Sequence, residues 1–120
     1  MGLIRVNNPR LSALLKFLSS ILRFEFTDGQ TRGRYGGTAE LFTLEQAREI
    51  AEIVGYKQDY RKFHTAMYKA GLTSWYALAS RLSENGRGFL TLTEIKNIGR
   101  ATAIGIVHYG LTKGFLWFEG

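Results

Sequence analysis

Thr43-Leu44-Glu45-Gln46-Ala47-Arg48-Glu49-Ile50-Ala51-Glu52-Ile53-Val54-Gly55 is a complete helix sentence, and the rest of the chain repeats its grammar. Thr43 with Gln46 three residues on is a capping box, in which the hydroxyl takes an orphan N–H of the first turn and the carboxamide reaches back to the Thr43 backbone. Ala47, Ile50, Ala51 and Val54 recur at helical spacing as a buried stripe, and Gly55 ends the run. Glu45, Glu49 and Glu52 fall outside, on an acidic face that meets either water or a basic patch of a neighbouring copy.

Downstream, a helix is expected over 59–70, with Phe63, Ala66, Met67 and Ala70 apolar and Arg61, Lys62 and Lys69 exposed. Gly71 stops it, and Leu72 is placed for the apolar contact that follows a glycine C-cap. Thr73 is expected to cap the next helix, in which Trp75, Leu78, Ala79 and Leu82 share a face and which ends at Asn85-Gly86. After Gly86-Arg87-Gly88, Thr91-Leu92-Thr93-Glu94 reads as a second capping box opening a further helix. Residues 101–111 are apolar nearly all round, so periodicity alone leaves helix or central strand open. The capping box and the length favour helix, with Gly99, Ala103 and Gly110 allowing close approach of a neighbour; Ile104, Ile106, Val107 and Tyr109 favour strand.

The terminal run Phe115-Leu116-Trp117-Phe118 must be buried, since each large apolar side chain left in water costs about 1.5–3 kcal/mol. It forms either a last strand on the chain's own core or, with the small residue Ala103, a contact between protomers.

Upstream, Asn8-Pro9 opens an amphipathic helix whose apolar side is Leu11, Leu14, Leu15, Leu18, Ile21 and Leu22. Phe24-Glu25-Phe26 alternates like a short strand and Asp28-Gly29 is a turn signal. The expected fold is therefore mainly α: a compact bundle of about five helices with a basic N-terminal helical arm and a Gly/Arg loop, and short strands near 24–26 and 115–118. Residues 1–37 form the arm and loop, and 38–120 the helical core.

The chain has 120 residues and no cysteine, which excludes disulfide, thiolate-metal and thiol-nucleophile chemistry. His64 and His108 lack an acidic neighbour at metal-ligand spacing, and the glutamates of 45–52 converge on nothing. Gly29, Gly33, Gly36 and Gly37 fit neither a Walker loop nor a dinucleotide fingerprint. A non-enzyme without cofactor or metal is expected. No signal-type leader or membrane-length apolar run is read, so the expected location is intracellular, or a virion.

The net charge of +6 points to a polyanion. Residues 1–37 carry six Lys/Arg against two Asp/Glu and residues 59–88 five against two, while 38–58 reverse the balance. The sequence Thr31-Arg32-Gly33-Arg34-Tyr35-Gly36-Gly37 combines backbone that can approach a phosphate with two guanidiniums and a ring able to stack. The expected nucleic-acid contacts are Arg5, Arg10, Lys16 and Arg23 on the arm and Arg32, Arg34 and Tyr35 in the loop, followed by Arg61, Lys62, Arg87 and Arg100.

Residues 61–82, with the turn Ala70-Gly71-Leu72-Thr73, resemble a helix-turn-helix. The resemblance implies a regulator that reads the major groove with Thr73, Ser74 and Tyr76. As a whole, a basic, cysteine-free, glycine- and aromatic-rich chain with an amphipathic arm, an Arg-Gly loop and a helical remainder resembles the major coat proteins of filamentous archaeal viruses. That likeness implies many copies wrapping DNA, favoured over RNA, through backbone shape and charge, with Phe115, Leu116, Trp117, Phe118 and Ala103 between protomers. Thr43-Leu44-Glu45-Gln46 and the later Met67-Tyr68-Lys69-Ala70-Gly71-Leu72 are also similar to a small helical subunit of a CRISPR effector, which would stack along a nucleic-acid backbone.

Overall fold

Trp75 is fully buried, and the fold is assembled around its indole. The computed structural model describes residues 34–84 and 87–119, in the order β1 (Tyr35–Gly37), α1 (Leu44–Val54), α2 (Arg61–Lys69), α3 (Trp75–Ser83), a 3-10 helix (Gly88–Glu94), α4 (Arg100–Lys113) and β2 (Leu116–Phe118). The Trp75 indole stacks on Phe115 at 5.2 Å and meets Phe42 edge-on at 5.3 Å. Gly110 of α4 makes this possible: a Cβ there would lie 2.7 Å from the indole and 2.6 Å from Leu116. The described protein is thus mainly helical with one two-stranded sheet, as the sequence implies.

The capping box forms as read. Thr43 Oγ1 accepts from Gln46 N at 3.1 Å, Gln46 Oε1 accepts from Thr43 N at 3.1 Å, and Gly55 closes α1 in the left-handed region. Its acidic face is answered within the chain: Arg48 bridges Glu45 and Glu52, and the Tyr109 hydroxyl donates to Glu49. Residues 101–111 are helix. α4 is buried almost all round because α1, the 3-10 helix and β2 pack on different sides of it.

Two boundaries differ from expectation. Ser74, not Thr73, caps α3, its side chain accepting from Ala77 N at 3.1 Å. The Thr91-Glu94 box does not form. Thr91 and Thr93 instead donate their hydroxyls to the carbonyls of Gly88 and Leu90, at 3.0 and 2.6 Å, and Glu94 pairs with Arg87 and Arg81. The result is a 3-10 helix, then a turn with Asn97 at φ 72°, and α4 begins only at Arg100.

The terminal run is a strand of this chain's own sheet. β2 pairs antiparallel with β1, Tyr35 opposite Phe118 and Gly37 opposite Leu116. β1 in turn lies on α3, where a Cβ at Gly37 would sit 2.3 Å from the Trp75 carbonyl oxygen. Residues 35–37, read as loop, therefore belong to the folded core. The arm helix and the strand near 24–26 lie outside the described residues.

Candidate nucleic-acid interface

Helical geometry places Lys62, Thr65, Ala66 and Lys69 of α2 on one stripe, at steps of three and four residues. The stripe flanks the buried Phe63 and Met67 and forms one wall of a cleft of about 540 Å³. Ile95, Lys96 and Asn97 form the facing wall, and Arg81 of α3 and Glu94 also line it. Ala66 and Ala70 keep the space open between the two lysines, which stand two turns apart, about 10 Å along the axis. A shallower continuation adds Asp59 and Arg61.

The facing wall is held in place from beneath. Tyr56, just past the end of α1, donates its hydroxyl to the Asn97 carbonyl at 2.9 Å. The ring of Tyr56 meets Phe63 of α2 edge-on at 5.0 Å, so one side chain ties both walls together.

The charges divide into committed and free. Arg61 is bound by Asp59, whose carboxylate is held down to about 2 by that guanidinium and by the Arg61 backbone N–H. Arg81 lies 3.7 Å from Glu94 and donates to the Thr91 carbonyl at 3.3 Å; Arg87 also pairs with Glu94. Arg100 lies over the Phe89 ring. By contrast, Lys62, Lys69 and Lys96 have no carboxylate partner among the described residues, and Lys62 makes only a 3.3 Å bond to Gln58. Three ammonium groups without a counter-ion around one cleft favour a ligand carrying several negative charges.

A second depression, of about 520 Å³, lies where β1 and β2 meet α3. Arg34, Gly36, Tyr76, Ser80, Ser83 and Trp117 line it, with Glu84 and Glu119 at its edge. Gly36 lets the indole of Trp117 lie across the strand, since a Cβ there would fall 2.4 Å from Trp117 Nε1. Tyr76 is 65% exposed and Trp117 43%.

The expected contacts are thus divided by the structure. Arg5, Arg10, Lys16, Arg23 and Arg32 lie outside the described residues. Arg34 lines the aromatic depression, without a carboxylate partner among the described residues. Tyr35, expected to stack on a base, is only 5% exposed: its ring packs 4.9 Å from Phe118, and the Ser83 hydroxyl receives its backbone N–H at 2.9 Å. Burial raises its phenol above the usual tyrosine range. Arg61 and Lys62 meet at the cleft, and Arg87 and Arg100 do not line it.

The expected protomer contacts Ala103, Leu116 and Phe115 are spent inside the chain, the first two fully buried and Phe115 on the indole, which leaves Trp117 and Phe118 outward. Lys69 and Lys96 are not among the expected contacts: Lys69 reads only as an exposed position of its helix, and Lys96 as a single lysine in the middle of one.

The two helices of the helix-turn-helix resemblance go to different neighbours: α2 packs on α1, whereas α3 packs on β1 and the 3-10 helix. His64 stacks on Phe42, with Nε2 3.0 Å from the Phe42 carbonyl oxygen. Among the described residues no helix is long and apolar enough to cross a membrane, and no three His, Asp or Glu side chains gather at a metal-sized site. Comparison with protein-family models, characterised proteins and solved structures finds no match.

Proposed function

We propose that this protein is a non-enzymatic nucleic-acid-binding protein that contacts phosphates without reading bases, and that it acts in many copies as a coat or packaging protein. One observation carries the reading: Lys62, Lys69 and Lys96, all without a carboxylate partner among the described residues, line a single cleft. Phosphate neutralisation by lysine releases condensed counter-ions, and this sequence-independent term supplies most non-specific affinity. Threonine and asparagine between the cations add hydrogen bonds to phosphate or sugar oxygens, which position a backbone without specifying its sequence. The excess of cations over residues 1–37 supports the same reading, and the outward Trp117 and Phe118 leave apolar surface for assembly. DNA is favoured by the coat-protein resemblance.

The test is binding of random-sequence oligonucleotides to the full chain across a salt series. Substituting Lys62, Lys69 and Lys96 together by alanine should lower affinity for all sequences alike and flatten the salt dependence by roughly 0.7–0.9 per lost contact. Sedimentation with electron microscopy of the fastest fraction reads the multi-copy part. An unchanged slope in the triple variant removes the cleft from the interface.

A further inference from the structure

We infer that two copies of this chain join through the outer edge of β2, strand against strand and antiparallel, to make one four-stranded sheet across a two-fold axis; this deepens the multi-copy part of the reading above. The ladder within the sheet decides which edge is open. The Glu119 N–H donates to the Arg34 carbonyl at 2.8 Å and the Thr38 N–H to the Phe115 carbonyl at 3.0 Å. With Tyr35 opposite Phe118, the bonded pairs are therefore Arg34 with Glu119, Gly36 with Trp117 and Thr38 with Phe115. The N–H and C=O groups of the alternate residues, Tyr35 and Gly37 on β1 and Leu116 and Phe118 on β2, point away from the partner strand. On β1 that edge is closed at Tyr35: Ser83 Oγ receives its N–H at 2.9 Å and lies 3.3 Å from its carbonyl oxygen, and α3 packs along the strand. On β2 no hydrogen bond answers Leu116 or Phe118 on that side among the described residues.

The strand is complementary to itself. Antiparallel pairing centred on Trp117 sets Leu116 opposite Phe118 of the second copy and Phe118 opposite its Leu116, a register that uses every outward group of both strands. Trp117 and Phe118 are 43% and 40% exposed, and Thr112, Lys113, Gly114 and Glu119 on either side of the strand are exposed too. β2 carries none of the charges, prolines or bulges that keep natural sheet edges apart. Its indole leans over Gly36 of β1, away from the outer edge, which leaves room at the axis where Trp117 meets its own copy. Charge selects the same place. A chain of net +6 repels its copies, and on the Trp117 face of the sheet Arg34 stands against Glu84 and Glu119, none of them in an ion pair among the described residues, so this face adds no positive charge to that repulsion. In the centred register the two Glu119 residues fall roughly 14 Å apart along the sheet and do not oppose each other.

The test is sedimentation equilibrium of the full chain without nucleic acid, over a concentration series, for wild type, Phe118→Pro, Trp117→Glu, Trp117→Lys and an equimolar mixture of the last two. Wild type should dimerise. Phe118→Pro removes an outward N–H and leaves the donors of the β1–β2 ladder in place, and a charge at position 117 faces its own copy across the axis. Each single variant should therefore dimerise at least about tenfold more weakly. The mixture sets opposite charges across the axis and should recover the dimer. Amide hydrogen exchange of wild type reads the contact locally, since the Leu116 and Phe118 N–H groups should gain protection as concentration rises; with circular dichroism as the check on folding, this keeps the test alive if a variant unfolds. A wild type that stays monomeric, a dimer that folded variants leave unchanged, or a mixture that stays monomeric overturns the inference. None of these outcomes touches the phosphate cleft: the Lys62, Lys69 and Lys96 triple variant should dimerise as wild type does, and an unchanged salt slope in that variant counts against the nucleic-acid reading alone.

Discussion

Gln46 Oε1 accepts two hydrogen bonds, from the Thr43 backbone N–H at 3.1 Å and from the Trp75 indole Nε1 at 3.0 Å. The group that opens α1 thereby also satisfies the donor of the residue at the centre of the core, and local and long-range structure share one atom. A buried indole N–H without a partner costs about 1–3 kcal/mol, and loss of a cap about 1.

Gln46→Ala should accordingly destabilise the protein by about 2 kcal/mol, read as a lower urea midpoint with unchanged slope. Gln46→Glu keeps an acceptor for both donors and should stay within about 0.5 kcal/mol of wild type at neutral pH. A tolerated Gln46→Ala would mean that the indole bond carries no net stability.

Gly37 and Gly99 should respond in opposite directions. A Cβ at Gly37 would lie 2.3 Å from the Trp75 carbonyl oxygen, backbone that cannot give way without parting β1 from α3. Gly37→Ala should cost about 1–3 kcal/mol, the usual penalty of overpacking. Gly99 is the N-cap of α4 with open space around it and φ −87°. Gly99→Ser supplies the missing side-chain acceptor and should stabilise by a few tenths of a kcal/mol. Thermal denaturation of the two variants side by side checks both signs.

What was legible in the sequence was what is local. The Thr43-Gln46 box, the Gly55 stop and the buried stripe of α1 each depend on residues within four positions of one another, and each formed. The equally local Thr91-Glu94 pattern failed because Arg87 and Arg81, arriving from the preceding loop and from α3, offered Glu94 a charge instead of a backbone N–H. The cleft was illegible for the same reason. Lys62 and Lys69 announce a stripe, but nothing near Lys96 in the chain says that it faces them. That juxtaposition is made by Tyr56, through a bond to a backbone carbonyl that no side-chain pattern encodes. Tyr35 misled because a strand of three residues, two of them glycine, reads as loop, and only its pairing with β2 and its packing on α3 bury the ring.

Tyr56→Phe should separate these roles. The ring contact with Phe63 survives, but the hydroxyl to Asn97 is lost, at a cost of about 1 kcal/mol. The turn that carries Lys96 loosens, so nucleic-acid affinity should fall several-fold, and the salt slope should move toward that of Lys96→Ala. Equilibrium unfolding and a salt titration of the same sample decide it; full affinity with reduced stability would show that the turn holds its position without the bond.

Asp59→Asn tests the electrostatics of the cleft mouth in the opposite sense, by a gain. Asp59 Oδ2 receives Arg61 Nη2 at 2.6 Å and Oδ1 receives the Arg61 backbone N–H at 3.0 Å, which holds the carboxylate down to about 2. A carboxyl depressed in the folded state contributes stability above its unfolded value near 3.9 and loses it as pH falls through about 2. From about pH 4.5 upward the pair therefore stays closed, and Asp59 adds no pH dependence to binding there. Asparagine keeps an oxygen to accept from the Arg61 backbone N–H but removes the charge, leaving the guanidinium to a phosphate. Affinity should rise and the salt dependence steepen by up to about 0.7–0.9, one added contact. A slope that does not move in the variant would place the bound strand away from Arg61 and confine it to the lysine walls.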